Sequence, residues 1–320
     1  MGIFERIIVL ISLLFVFSYS SLSEVIRDIK TFSFPKRTGK EVLVLVSDKI
    51  STFEEVDNGI AESLKGYNVY SYNFQGDTNS MDDVPEIVSR LKPNVVVVLG
   101  ASIFEKIVGK TDIPIVFSMV INYKKFDIEK YKNIAGVSLQ IPPESVFFNL
   151  KTIYPNFRKV GVICSKDYFD SYIKPSVDSL KISLDVEVIS SIIQSSKDFV
   201  SAYNNISKNA DVMWMVPDTA VLDKNSIIFF ITESFKRQKP SVVYSEPFVK
   251  AGGFFSVSPD YNSIGSQIAL IVRRIVEDKS TPNKIGIVPV VGTFVTVNRE
   301  ISKKLGISED ILSLVDKVIE

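Results

Sequence analysis

Val42-Leu43-Val44-Leu45-Val46 and Val95-Val96-Val97-Val98-Leu99 are apolar runs with no polar alternation. A strand with one wet face alternates apolar and polar residues. An unbroken β-branched run needs cover on both faces, as strands in parallel sheets have. Helical patterns separate these runs. Phe53, Val56, Ile60 and Leu64 mark one helix, ended by Gly66, and Val84, Ile87, Val88 and Leu91 mark the next, stopped at Lys92-Pro93. Tyr67 to Phe74 and Ile113 to Phe117 complete a first strand set, with a short helix predicted over 102–109.

The rhythm then repeats. Lys159–Cys164, Leu184–Ser190, Val212–Val216 and Ser241–Tyr244 read as strands. Helices are predicted over Tyr168–Ser183 (interrupted by Pro175), Asp198–Lys208 and Ile227–Arg237. Strands alternating with helices of this length specify parallel sheets with helices on both faces. The chain has 320 residues, 46% of them hydrophobic, enough for two domains with cores of their own. The expected fold is therefore α/β, with two doubly wound parallel-sheet lobes.

The stretch from Asn133 to Pro143 reads as a crossover between the lobes. Ser258 reads as the cap of a helix with Pro259 in its first turn, and Ile264, Ile268, Ile271, Val272 and Ile275 as its apolar stripe. Ile287 to Val297 reads as one late strand broken by Pro289 and Gly292. These late elements would carry the chain back between lobes. The expected division is a lead-in arm at 21–40, lobe 1 over 41–138 plus about 252–285, and lobe 2 over 139–251 plus about 286–320.

Residues 1–20 do not read as part of the fold. Arg6 precedes an apolar run from Ile7 to Phe17, too short for a comfortable membrane span, and Ser18-Tyr19-Ser20 offers small residues where a signal peptidase would cut. The expectation is a signal peptide cleaved near Ser20 and an exported, periplasmic protein. No cysteine follows the run to take a lipid. An uncleaved helix, making the chain a membrane-anchored ligand-sensing domain, is the alternative.

Composition narrows the chemistry. Histidine is absent, which removes the commonest general base and metal ligand and excludes Ser-His-Asp and Cys-His arrangements. Cys164 is the single cysteine, so no intramolecular disulfide or cysteine-rich metal cluster can form. Lysine plus arginine equals aspartate plus glutamate, 37 each, so no net field draws the protein to nucleic acid. No enzyme, cofactor or metal is expected; an α/β enzyme using Asp218 or Glu246 is the residual catalytic reading.

In doubly wound sheets ligands bind outside the carboxyl ends of the strands. That rule selects Ser47; Gly100-Ala101-Ser102; Val120 and Asn122; Ser165; Asp218-Thr219; and Glu246. Gly100-Ala101-Ser102 opens a helix, where free backbone N–H groups and a hydroxyl suit an anion, although Ser102 could equally be a plain cap. Asp218 could pair with a ligand ammonium or cap the next helix. Glu246, before Pro247, could be a ligand contact or a solvated loop charge. Ser47 and Ser165 read also as turn residues. No G-x-G-x-x-G or Gly-Lys-Ser/Thr phosphate loop is present.

Asn73-Phe74-Gln75-Gly76-Asp77, Pro93 to Ser102, Ile113 to Phe117 and Ile134-Ala135-Gly136-Val137-Ser138 occur in an order that, with later segments, resembles a known family. The later segments are Tyr154-Pro155, Lys159-Val160-Gly161-Val162, Asp260-Tyr261 with Gly265, and Val297-Asn298 with Leu305-Gly306-Ile307. From about Glu41 to Ile319 the chain resembles the ABC-transporter substrate-binding proteins that include tryptophan- and tyrosine-binding members, with the type I periplasmic binding protein fold. The resemblance implies three crossovers between lobes and a small-molecule ligand in the interlobe cleft. It implies the helix start at Ser102 near the ligand carboxylate and Asp218 near its amino group. An ABC permease and ATPase are implied as partners, with the membrane reached only through the permease and the receptor a monomer. The family usually has Asp-Pro where Asn122-Tyr123 stands, and Asn where Thr219 stands.

Overall fold

The computed structural model describes residues 24–121 and 123–320. The expected signal segment 1–20 and the candidate Asn122 lie outside the described residues. The chain divides into two compact units. The first takes residues up to Gln140 with Asp260–Gly292, and the second Ile141–Pro259 with Thr293–Glu320. The backbone therefore passes between units three times, after Gln140, Pro259 and Gly292.

Fourteen strands are described. They are β1 (Glu24–Val25), β2 (Glu41–Val46), β3 (Asn68–Asn73), β4 (Val95–Leu99), β5 (Ile115–Ser118), β6 (Ile134–Ser138), β7 (Lys159–Cys164) and β8 (Glu187–Ile192). Then come β9 (Val212–Trp214), β10 (Ser241–Val243), β11 (Phe255–Pro259), β12 (Ile287–Pro289), β13 (Thr293–Asn298) and β14 (Lys317–Ile319). The first unit holds a parallel sheet ordered β1-β3-β2-β4-β5-β6-β12. The second holds β14-β13-β11-β10-β9-β7-β8, parallel except for the antiparallel pair β11–β13. The expected α/β class with two doubly wound sheets is what the molecule has. Every residue of β2 and of β4 is buried, as an unbroken apolar run requires.

Helices cover the faces. In the first unit α1 (Ser51–Ser63), α2 (Val84–Leu91) and α3 (Ala101–Ile107) follow β2, β3 and β4. The second unit carries α4 (Pro143–Ile153), the short α5 (Lys166–Tyr168), α6 (Val177–Leu184), α7 (Phe199–Ile206), α8 (Lys224–Lys236) and α9 (Glu246–Lys250). The longest of the described helices, α10 (Tyr261–Val276), returns to the first unit and lies against α1. A Cβ on Gly265 would sit 2.4 Å from the Val56 carbonyl oxygen, so only glycine permits that approach.

Several boundaries differ from the sequence expectation. Of the expected lead-in arm at 21–40, the described part 24–40 is more than an arm: β1 pairs with β3, and Ile26 and Ile29 enter the first core. Asn133–Pro143 is not all connection, because Ile134–Ser138 is a buried strand, β6. Ser258 and Pro259 end a strand, and Asp260 caps α10 instead, accepting from the Asn262 and Ser263 N–H groups. The second return therefore falls at 259/260 and not near 252. The single late strand expected over 287–297 is two, because β12 pairs with β6 in the first sheet and β13 with β11 in the second. The expected helix 168–183 is α5, one π-helical turn at Phe169–Ile173, a 3-10 turn at Lys174–Ser176, and α6. Pro175, lacking an N–H, prevents a regular ladder there.

Candidate functional site

From β2 onward in the first sheet, and throughout the second, the winding reverses once. In the first unit β2 leads outward to β3 and the chain then resumes on the other side at β4, so the switch lies between β2 and β4. In the second it lies between β7 and β9. Diverging connections leave a crevice at such points, beyond the carboxyl ends of the strands. The residues there are Ser47 with Gly100-Ala101-Ser102 in the first unit, and Ser165 with Asp218-Thr219 in the second.

In the first unit Ser47 is buried, and its N–H donates to the Leu99 carbonyl at 3.0 Å. The Gly100 N–H continues the ladder to the Ser118 carbonyl at 3.1 Å. Gly100 has φ 109° and ψ 150°, a conformation essentially reserved for glycine. A Cβ there would lie 2.0 Å from Ser47 Oγ. The two backbones therefore close on one another, and α3 starts directly at the switch point with Ala101 half-buried and Ser102 exposed. Ser102 is the second residue of α3 and not its cap, which is Gly100.

Val120 does not belong with these residues. It is 3% exposed and part of the first unit's apolar core, along with Phe117 and Ile128. Met119 before it takes a left-handed backbone, φ 60°, at this turn.

In the second unit a carboxylate bridges the switch. Asp218, 5% exposed, accepts from the Ser165 N–H at 2.6 Å through Oδ2 and from the Ala220 N–H at 3.1 Å through Oδ1. Ser165 Oγ in turn accepts from the Tyr168 N–H, capping α5. Asp218 thus ties the end of β9 to the end of β7 and closes its own turn, rather than capping α8. The cap of α8 is Asp223, whose carboxylate accepts from the Ser226 N–H. That bond, with serine hydroxyls beside it, lowers the Asp223 carboxyl to about 2.

Burial, and then the Asp218 charge, push the Cys164 thiol up to about 12, so it is an inert, fully buried apolar group. Burial also raises the Tyr168 hydroxyl, followed by the neighbouring Tyr172 and Asp218. Tyr168 and Tyr172 pack edge to face at 5.2 Å, and Tyr172 leans toward Trp214 in the core.

Beside Asp218 and the exposed Thr219 opens a cavity of about 490 Å³. Its walls include Leu222, Ile227 and Ile231 on and before α8, and Tyr244 and Phe248 after β10. The last two form an edge-to-face pair at 4.8 Å. Asp223 and Lys224 also border it.

Glu246 is separate from this group. It pairs with Lys250 at 2.7 Å and with Lys317 at 2.8 Å, joining α9 to β14. Lys250, then Lys317, hold its carboxyl below the usual range. The strand-end rule did not select Tyr168, Tyr244 or Phe248. Their signal is aromatic spacing four apart just past a strand, Tyr168 with Tyr172 and Tyr244 with Phe248.

Two doubly wound sheets linked by three passages of one chain are the fold of the two-lobed periplasmic binding proteins. The chain belongs to the family described as ABC transporter substrate binding protein, whose profile matches residues 41–319. It is 23% identical over 274 residues to a tyrosine-binding protein of Clostridioides difficile, covering 79% of this chain and 77% of the relative. Among solved structures it resembles the ligand-free, open form of a substrate-binding protein with adhesive properties from Clostridium difficile. The TM-score there is 0.67 at 16% identity, with 88% and 99% of the two chains covered. It also resembles an ABC domain from Streptococcus pneumonia in complex with L-Trp, with TM-score 0.53, 19% identity, and 87% and 100% covered. Family membership makes the protein a binder of a small molecule and not an enzyme.

Proposed function

We propose that the protein is the exported solute receptor of an ABC importer, handing an amino acid to a membrane permease driven by an ATPase. Aromatic side chains fall within the range of solutes intended. The observation that carries this reading is the family match, which spans both units from residue 41 to 319. The name of the tyrosine-binding relative supports an amino acid over a sugar or nucleobase. In this reading the protein acts as a monomer in the periplasm. Ser47, Gly100, Ala101 and Ser102 contribute contacts from one unit, and Ser165, Asp218 and Thr219 from the other. Binding shifts the units toward a closed form that the permease recognises, a hinge change of known type.

Native mass spectrometry of protein purified without refolding tests this, followed by thermal melts against amino acids, sugars and nucleobases. The expected result is a carried amino acid that raises the melting temperature. A ligand at about a hundred times its Kd adds about 2.7 kcal/mol to stability. An empty protein that no compound stabilises would remove the proposal.

A further inference from the structure

The first passage between units is anchored on both sides of a short stretch. Before it, the Ser138 carbonyl at the end of β6 accepts from the Val290 N–H at 3.2 Å. After it, the Ile141 carbonyl accepts from the Tyr172 hydroxyl, and Pro142 and Pro143, with no N–H of their own, cap and begin α4. Leu139 and Gln140 lie between these anchors. The other two passages brace each other. Pro259 pairs with Thr293 where β11 meets β13, and the Asp260 N–H donates to the Gly292 carbonyl at 3.0 Å. The first passage thus takes from a side chain what the other two take from backbone pairing.

Tyr172 sits in the π-helical turn Phe169–Ile173, where the Lys174 N–H reaches back five residues to the Phe169 carbonyl. Such turns are rare and recur at functional sites. This one follows the second unit's switch point directly. The Asp218 carboxylate accepts from the Ser165 N–H, and Ser165 Oγ accepts from the Tyr168 N–H at 3.2 Å. The Tyr168 ring then meets the Tyr172 ring edge to face at 5.2 Å. Burial, followed by Glu144, raises the Tyr172 hydroxyl, so it keeps its proton for Ile141 at neutral pH.

We infer that Tyr172 is a latch on the first passage, confining its bending to Leu139 and Gln140, and that the π turn ties this latch to the strand ends at Ser165 and Asp218. The series from Asp218 to Ile141 is contiguous and lies within the second unit, so the coupling needs no contact beyond those named. With the latch made, Ile141 steadies the first turn of α4, where the Ser145 and Val146 N–H groups donate to the Pro142 carbonyl at 2.9 and 3.2 Å. With it released, that turn opens locally and the bending stretch lengthens past Ile141. For a receptor this gives the strand ends a mechanical route to the passage. The latch itself does not rest on the receptor reading, because it is measured without solute.

Amide hydrogen exchange of the full chain, read at Ser145 and Val146, tests the latch. Tyr172→Phe removes only the hydroxyl and should speed both amides by about fivefold, the factor that one net hydrogen bond is worth. Tyr203→Phe removes another hydroxyl of the same unit, paired with Ser234 at 2.9 Å, and should leave both at the wild-type rate. Tyr168→Leu removes the ring contact and leaves the Tyr172 hydroxyl in place, yet should speed both amides, as should Ser165→Ala. Tyr168→Leu combined with Tyr172→Phe should add little to Tyr172→Phe alone, because both act on one series. Wild-type rates in Tyr172→Phe, or equal acceleration in Tyr203→Phe, would overturn the latch. Acceleration in Tyr172→Phe with wild-type rates in Tyr168→Leu and Ser165→Ala would overturn its tie to the strand ends. Failure of the solute screen would remove the receptor reading and leave these rates as they are.

Discussion

The two switch points solve one problem with different parts. Both must bring the ends of neighbouring parallel strands together while the following connections diverge to opposite faces. The first unit does so by removing a side chain: Gly100, at φ 109°, lets Ser47 press against its backbone. The second does so by adding one: the Asp218 carboxylate spans the gap and accepts one N–H from each side. The first solution is steric and uncharged, and leaves a short helix start with Ser102 facing solvent. The second is electrostatic and concentrates charge beside an apolar cavity. Equivalent topology therefore gives two chemically unlike candidate half-sites, one steric and uncharged, the other charged.

The steric half should break hardest. In Gly100→Ala the new Cβ meets Ser47 Oγ at 2.0 Å and Ser47 Cβ at 2.9 Å, and the backbone conformation becomes strained as well. Strain and overpacking together should cost about 4 kcal/mol in chemical denaturation. Adding Ser47→Gly should recover only the packing part, about half. Full recovery would mean that the backbone angle carries no cost, and that the first half-site is held by the serine contact alone.

Asp218→Ala should cost about 1–3 kcal/mol, because the partly buried N–H groups of Ser165 and Ala220 lose their acceptor. Asp218→Asn keeps one acceptor oxygen but turns an amide N–H₂ toward a donor, so it should fall between wild type and alanine. A loss of ligand affinity in Asp218→Asn beyond its loss of stability would assign the carboxylate a direct contact. Equal losses would leave it a bridge between strands.

What the sequence made legible follows from which forces act locally. Buried parallel strands must be apolar throughout, so β2 and β4 are plain in the chain itself. β6 is hidden because Gly136 and Ser138 dilute its apolar signal. Gly136 is small because the Phe117 ring lies 2.7 Å from where its Cβ would be, a contact between strands that no local pattern reports. β11 and β13 misled for a related reason. Their pairing partners lie about forty residues apart, so Ser258-Pro259 looked like a helix start when it was the end of a strand. At the site, position after a strand was legible and bonding was not. Ser165 and Asp218 are both recoverable as strand-end residues, yet the bond joining them crosses 53 residues. Val120, also selected as a strand-end residue, is 3% exposed, and its apolar side chain is the kind that packs into a core.

The electrostatic half should also respond to acid where the steric half cannot. Asp223 titrates at about 2 in the folded protein against an ordinary 3.8, chiefly through the Ser226 N–H. A depressed carboxyl stabilises the fold above its unfolded pKa, and that contribution disappears as pH falls from about 4 through 2. Asp223→Ser keeps a cap for α8 but removes the titration. Its stability should fall less steeply than wild type across that window, read by urea unfolding at stepped pH. Identical slopes would show that the cap contributes no proton linkage. Gly100 and Ser47 carry no titrating group, so a change of slope in a Ser47 variant would contradict the contrast drawn between the halves.

The smallest effect is expected at Glu246, which also tests where the second half-site ends. Its pairs with Lys250 and Lys317 are surface pairs, with the lysine side chains 57% and 42% exposed. Solvent-exposed ion pairs contribute about 0–1 kcal/mol and are screened by salt. Glu246→Gln should therefore lower the melting temperature by about 2 °C or less at low salt, a difference that 1 M sodium chloride should erase. Its affinity for solute should match wild type, because both lysines already engage the carboxylate at the α9–β14 contact. A tenfold loss of affinity with unchanged melting would extend the half-site past β10 to Glu246. The charge at the cavity would then be set by three carboxylates and not by Asp218 and Asp223 alone.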